Sequence, residues 1–202
     1  MSNHMSTRTR TARAARPQPS AATIDKVFAL VLHLGERRPA STLPRRLIPL
    51  FRELALPEPE RDPDDIEDLI WAHWIAHKDL HASSQMAAAI EAIGAGALDL
   101  ARAMLDRLVE SEPRWAEAWN KRATLAFIEK RDADALLDIE QTLMLEPRHF
   151  GAISGFGQIC LRHQRFAEAR AAFQVALRVN PHLLGLHEAI EEIGSTPMRE
   201  LH

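Results

Sequence analysis

The sequence predicts an all-α fold built as a stack of helical hairpins, and three observations carry that prediction. Among 202 residues there are 32 Ala and no Tyr, with few β-branched or aromatic side chains, which favours helix and argues against a sandwich or barrel. Pro113, Pro147 and Pro181 are evenly spaced, each the same interval from the next. Two columns of small residues keep the same period: Ala89, Ala123, Gly157 and Ala101, Ala135, Ala169. Helices that cross closely need small side chains at the crossing, so these columns have a steric cause. A proline after each hairpin stops the second helix because it has no amide proton to donate. Self-similarity at a fixed period of about 34 residues is the signature of a helical repeat array.

Each segment has its own local reason. Residues 1–22 hold Arg8, Arg10, Arg13 and Arg16 with no acid and no apolar period, which predicts a disordered arm. An N-terminal helical region follows over 23–81. Thr23 is positioned to cap a helix from Ile24 to about Leu34, with Gly35 as its stop. A second amphipathic piece covers Leu47–Leu56, with Pro49 near its start and Pro57 after it. Residues 53–68 hold eight carboxylates against one Arg. Most of them introduce a third helix: Asp62 as cap, Pro63 in the first position, then Asp64, Asp65 and Glu67, where acids complement the positive end of the helix dipole. Ile70, Trp71, Trp74 and Ile75 give that helix one apolar stripe, predicted to run to about Lys78.

Three repeat units of equal length follow, 82–115, 116–149 and 150–183, each a helix of about 13 residues, a short turn and an antiparallel partner. Leu105, Ile139 and Phe173 are the bulky knobs of the second helices. Residues 184–193 form an amphipathic capping helix through Leu184, Leu186, Ala189, Ile190 and Ile193, with Gly194 as its stop and a tail over 194–202.

These residues resemble the tetratricopeptide repeat family, whose pattern is W-x2-L-G-x2-Y, then A-x3-F-x2-A and P. The third unit matches best, through Phe156-Gly157, Phe166, Ala169, Phe173, Ala176 and Pro181. The second supplies Trp119, Ala123, Ala135, Ile139 and Pro147. The first has Gln85 in place of the Trp but keeps Gly96, Ala101 and Pro113. Arg122 and Lys130-Arg131-Asp132 depart from the Leu and the Gly–Tyr turn of the family that these units resemble, which implies a distorted second hairpin. The stretches 118–124 and 145–152 are similar to small bacterial proteins of this type. The resemblance implies an α-α superhelix of three hairpins with N-terminal helices and a C-terminal cap. It also implies a non-enzymatic scaffold that binds a peptide or partner helix in the concave groove lined by the first helix of each unit. The implied groove residues are Met86, Ile90 and Ile93, then Glu117, Asn120, Thr124 and Phe127, then Ser154, Gln158, Leu161 and Arg162, with Ser83 and Gly151 at the flanking positions. Occupation of the apolar end of this groove by the chain's own N-terminal helices is the alternative. Relatives that grip acidic chaperone tails use a clamp of Lys, Asn and Arg; the matching positions here are Met86, Ile90, Lys121, Gly151 and Gly155, so that ligand is not expected.

Other chemistry is thinly supported. One Cys excludes a disulfide framework and a multi-Cys metal site. A formal net charge of −3 gives no reason to expect nucleic acid. The Arg-rich run of Arg162, Arg165, Arg170 and Arg178 reads as a solvated face, with docking of an acidic partner or phosphate as the alternative. The longest apolar run, Val27 to Leu32, cannot span a bilayer. No small-x-small cleavage site follows it, so a cytoplasmic location is expected, with export as the alternative. His73, His77 and His81 would share a face if one helix ran through all three, which is the basis of a weak metal-site reading. Cys160 falls at an interior position of the third unit. No cofactor is expected. A metal- or thiol-dependent enzyme and a self-associating module (a homo-oligomer) are the competing functions.

Overall fold

The structure is a computed structural model that describes residues 18–195, and among these there is no strand. The expected disordered arm through Pro17 and the tail from residue 196 lie outside the described residues. Helix α1 (Ala21–Leu32) begins earlier than expected, because the Ser20 hydroxyl accepts the Thr23 amide and takes the capping role assigned to Thr23. A 3-10 turn, Leu34–Glu36, absorbs Gly35. Helix α2 (Leu47–Leu54) and helix α3 (Pro63–Ile75) form a hairpin, and the Asp62 side chain caps α3 at the Asp64 amide, with Pro63 in the first turn. α3 ends at Ile75, short of the expected Lys78, because Ala76 turns extended.

The repeats are regular. Their first helices are α4 (Leu80–Gly94), α6 (Ala116–Ile128) and α8 (Phe150–Arg162); their second helices are α5 (Leu98–Ser111), α7 (Asp132–Leu145) and α9 (Phe166–Val179). The expected distortion of the second hairpin is absent. Gly96, Lys130 and Gln164 occupy the same position of successive repeats, and all take a left-handed backbone, with φ of 74°, 58° and 59°. The same 6→1 hydrogen bond closes each turn: Ala97 to Ala92, Arg131 to Ala126 and Arg165 to Cys160, at 2.9, 2.8 and 2.8 Å. This is a Schellman closure repeated three times. It asks only for a backbone conformation, which a lysine can adopt at modest cost, so the turn keeps its shape without glycine. Arg122 fits as well, because its guanidinium bridges Asp138 on α7 and Asp106 on α5.

The small-residue columns lie at the crossings, and every member is buried. Knob and hole vary together. A Cβ on Gly157 would run into the Phe173 ring, so the largest knob fills the space left by the smallest residue. Around this stack the N-terminal helices fold back. α1 lies on α7 and α9, with Lys26 on Glu140, Asp25 on Arg165 and Phe28 stacked on Phe156. At the far end α10 (Leu184–Ser195) covers α9 through half-buried Leu186, Ala189, Ile190 and Ile193, and its helix continues through Gly194, the residue expected to stop it.

Gly157→Ala should destabilise the protein by about 1–3 kcal/mol, since overpacking a filled core outweighs the better helix propensity of alanine. Gly185→Ala, with nothing within 4 Å of the added carbon, should leave stability unchanged or slightly higher. Urea unfolding of the two variants checks both signs.

Candidate functional site

The exposed face of α4, α6 and α8 is the place to look for partner contacts, because these three helices lie side by side and present equivalent residues in columns. Half of that face is closed by the chain itself. The α2–α3 hairpin and the link to α4 run as a strap across the loops between repeats, one repeat junction after another. Glu67 accepts the Asn180 side-chain amide at 2.8 Å. Trp74 stacks on His149, centroids 4.0 Å apart and planes 9° apart. His77 stacks on Trp115 at 4.6 Å, and the Trp115 indole N–H donates to the Trp74 carbonyl at 2.7 Å. Trp115, His149 and Leu183 themselves recur at the repeat interval, one at the entry to each following helix. The strap therefore docks on a column of the repeat.

Its central anchor is polar and buried. His149 Nδ1 accepts the Ala152 amide at 3.2 Å, so the ring proton sits on Nε2 and is donated to Glu117 at 2.8 Å. The Asn120 amide donates to the same carboxylate oxygen at 3.2 Å, and the Lys121 ammonium lies 2.9 Å from the other. Lys121 also sits 5.0 Å from the centre of the Trp71 ring. Burial pushes the Glu117 carboxyl up, but the hydrogen bond from His149 and the charge of Lys121 outweigh it, leaving the group below the ordinary glutamate range. Gly151 completes the joint. Its missing side chain admits Trp71, whose ring would lie 2.7 Å from an added Cβ.

This arrangement corrects part of the expected groove. Met86, Glu117 and Asn120 are buried and offer nothing to a partner. Ser83 is spent on the backbone of His77, and Gly151 lies under Trp71. The Thr124 and Ser154 hydroxyls donate to carbonyls of their own helices, Asn120 and Phe150. What remains uncovered is the outer half of the face, in two columns: Ile90, Thr124, Gln158 and Ile93, Phe127, Leu161. Arg162 adjoins them with its guanidinium 3.7 Å over the Phe127 ring, held by Asp132 at 2.5 Å and the Phe127 carbonyl at 3.2 Å. Arg165 is likewise taken, by Asp25 and Glu168, so the basic run is partly internal wiring.

The imidazole reading is corrected too. Because α3 ends at Ile75, His73, His77 and His81 share no face, and His81 belongs to α4, where it meets Gln85. Among the described residues no group of three His, Cys, Asp or Glu is placed to hold a metal. Cys160 is fully buried, and burial pushes its thiol up to about 12. No described helix is long and apolar enough to cross a membrane.

No family model matches the chain. A TPR repeat-containing protein of Rhizobium etli is 38% identical over 128 residues, a match that spans 61% of this chain and 61% of that one. In fold, the chain is similar to the first TPR of Spaghetti (RPAP3) bound to the HSP90 peptide SRMEEVD, with a TM-score of 0.54 and 19% identity, over 56% of this chain and 90% of that one. The array has the α-α superhelical fold of that repeat structure. Within it, sequence reasoning located the apolar stripe of Trp71 and Trp74 but missed their partner. The signal was the column of Trp115, His149 and Leu183, whose large side chains mark a docking row at the mouth of the repeats.

Two measurements follow from these environments. With its pKa depressed in the fold, Glu117 stabilises the protein fully above the unfolded-state pKa and loses that share as the pH falls through the folded-state value. The stability gap between wild type and Glu117→Gln should therefore shrink on acidification, as read by urea unfolding at stepped pH. Cys160 should resist a thiol-specific reagent in the native protein at neutral pH and react at once after unfolding in denaturant.

Proposed function

We propose that this chain is a non-enzymatic adaptor that holds the apolar side of a peptide or partner helix along the two uncovered columns of its repeats. One observation carries the reading. The strap closes the inner half of the face and leaves Ile90, Ile93, Phe127 and Leu161 half-exposed in register, with Thr124 and Gln158 between them. The repeat period puts one apolar contact on each repeat, suited to a ligand that lies across the helices and meets each in turn. Gln158, exposed at the centre of the third helix, can bond a ligand's backbone in both directions.

An acidic chaperone tail does not suit this face. Of the five positions that would form its clamp, Lys121 alone is cationic, and it is engaged by Glu117 and Trp71. Met86 is buried and Gly151 is roofed. Interaction modules of this fold carry function in a few surface residues, so the partner is set by these columns and not by the fold.

The test is capture from extract of the native cell with wild type and with Phe127→Ala/Leu161→Ala. The double variant should lose at least tenfold of a partner that wild type retains, while its circular dichroism stays unchanged. Retention of every partner by a folded double variant would overturn the assignment.

A further inference from the structure

Where the strap passes from α3 to α4 it leaves a cavity of about 610 Å³, inside the range of roughly 300–1,000 Å³ common for small-molecule sites. It opens between residues 42–44, the end of α3 and the loop that enters α6. The cavity is separate from the groove columns, since Ala116 at its edge precedes Thr124 by eight residues, roughly 12 Å along α6.

Its walls combine apolar surface with donors that lack acceptors. Leu43, Pro44, Trp74 and Trp115 supply the apolar part. The Trp74 side chain is 2% exposed, yet its indole N–H is buried without a hydrogen-bond partner. Lys78 and Arg114 line the same cavity, are exposed, and form no ion pair among the described residues. His73 is also in the wall. The single acid, Glu112, faces His77, 3.5 Å from its Nε2, and His77 Nδ1 accepts the Asp79 amide. α6 begins at the cavity with no side-chain cap, so its positive end adds to the same field.

We propose that this cavity binds an apolar carboxylate: a flat or aliphatic body against the two indoles, and a carboxylate between Lys78 and Arg114. Acid and cation are matched by chemistry, since two unpaired cations and an uncapped helix start face one acid that is already engaged. A free organic acid and the C-terminal residue of a peptide share this chemistry, and the probes separate them.

The experiment is isothermal titration of the full chain with 4-phenylbutyrate and its primary amide, and with a short peptide ending in Phe as free acid and as C-terminal amide. Saturable binding of at least one acid, at least tenfold tighter than its amide, is expected. Binding of phenylbutyrate alone marks a small-molecule site, and binding of the peptide acid marks a chain terminus. Lys78→Gln/Arg114→Gln, both exposed and expected to fold, should weaken the acid at least tenfold, whereas Phe127→Ala/Leu161→Ala should leave it unchanged. The proposal is overturned if neither acid binds, if amides bind as well as acids, or if the cation variant binds like wild type. Because the groove variant serves as the control, failure here leaves the adaptor reading to stand or fall by its own test.

Discussion

His149 lies face to face with Trp74 while its ring proton goes to Glu117, and this small buried contact joins two parts of the chain that would otherwise be independent. A helical repeat array is held together by neighbour on neighbour, and its face is open by default. Pinning the strap at the centre of the array changes that. It sets which half of the face is available to a partner, shapes the cavity beside α6, and brings the N-terminal region of the chain against both inter-repeat junctions and the junction with the cap. The cost is a carboxylate far from water, so the site must be fully furnished. His149 and Asn120 donate to one of its oxygens, the Lys121 ammonium balances the charge beside the other, and the aromatic rings exclude solvent around them. Removing one partner from such a group is far more damaging than never having built it.

Charge is used elsewhere in the same spirit, as wiring between repeats more than as a surface for partners. Arg122 ties α6 to α5 and α7, and Arg162 with His163 ties α8 to the start of α7 at Asp132. Arg131 with Asp134 and Arg165 with Glu168 are one pair repeated at equivalent positions of successive units. Apart from Arg122, which bridges the middles of α5, α6 and α7, these links sit at turns and helix ends, where close packing of small residues gives little grip. The hairpins are thus fixed twice, by interdigitated apolar columns in the middle and by ion pairs at the rim.

Most of the fold was legible because its causes are local and repeated. Prolines, small residues at the crossings and a bulky knob on the second helix each leave a mark once per repeat, and three copies make the mark visible. The surface was harder to read. A position that lines the groove in an open array is buried here when a separate segment covers it, and no periodicity announces that cover. Glu117 and Asn120 stand at the groove positions that the resemblance assigns to ligand contacts. They are instead the polar half of a joint whose other half lies a whole hairpin upstream, in Trp71 and Trp74. The break after Ile75 was equally hidden, since Ala76 carries no helix-breaking chemistry and turns extended through its tertiary setting.

The strap touches the array once per junction: His77 at Trp115, Trp74 at His149 and Glu67 at Asn180. Its own length is fixed by helical rise and by the hairpin behind it. It therefore works as a gauge. A chain that duplicated one hairpin, as an open array can, would leave one junction unmet or pull the gauge out of step. Evolution by repeat addition, easy in an open solenoid, is closed to this molecule unless the strap lengthens too.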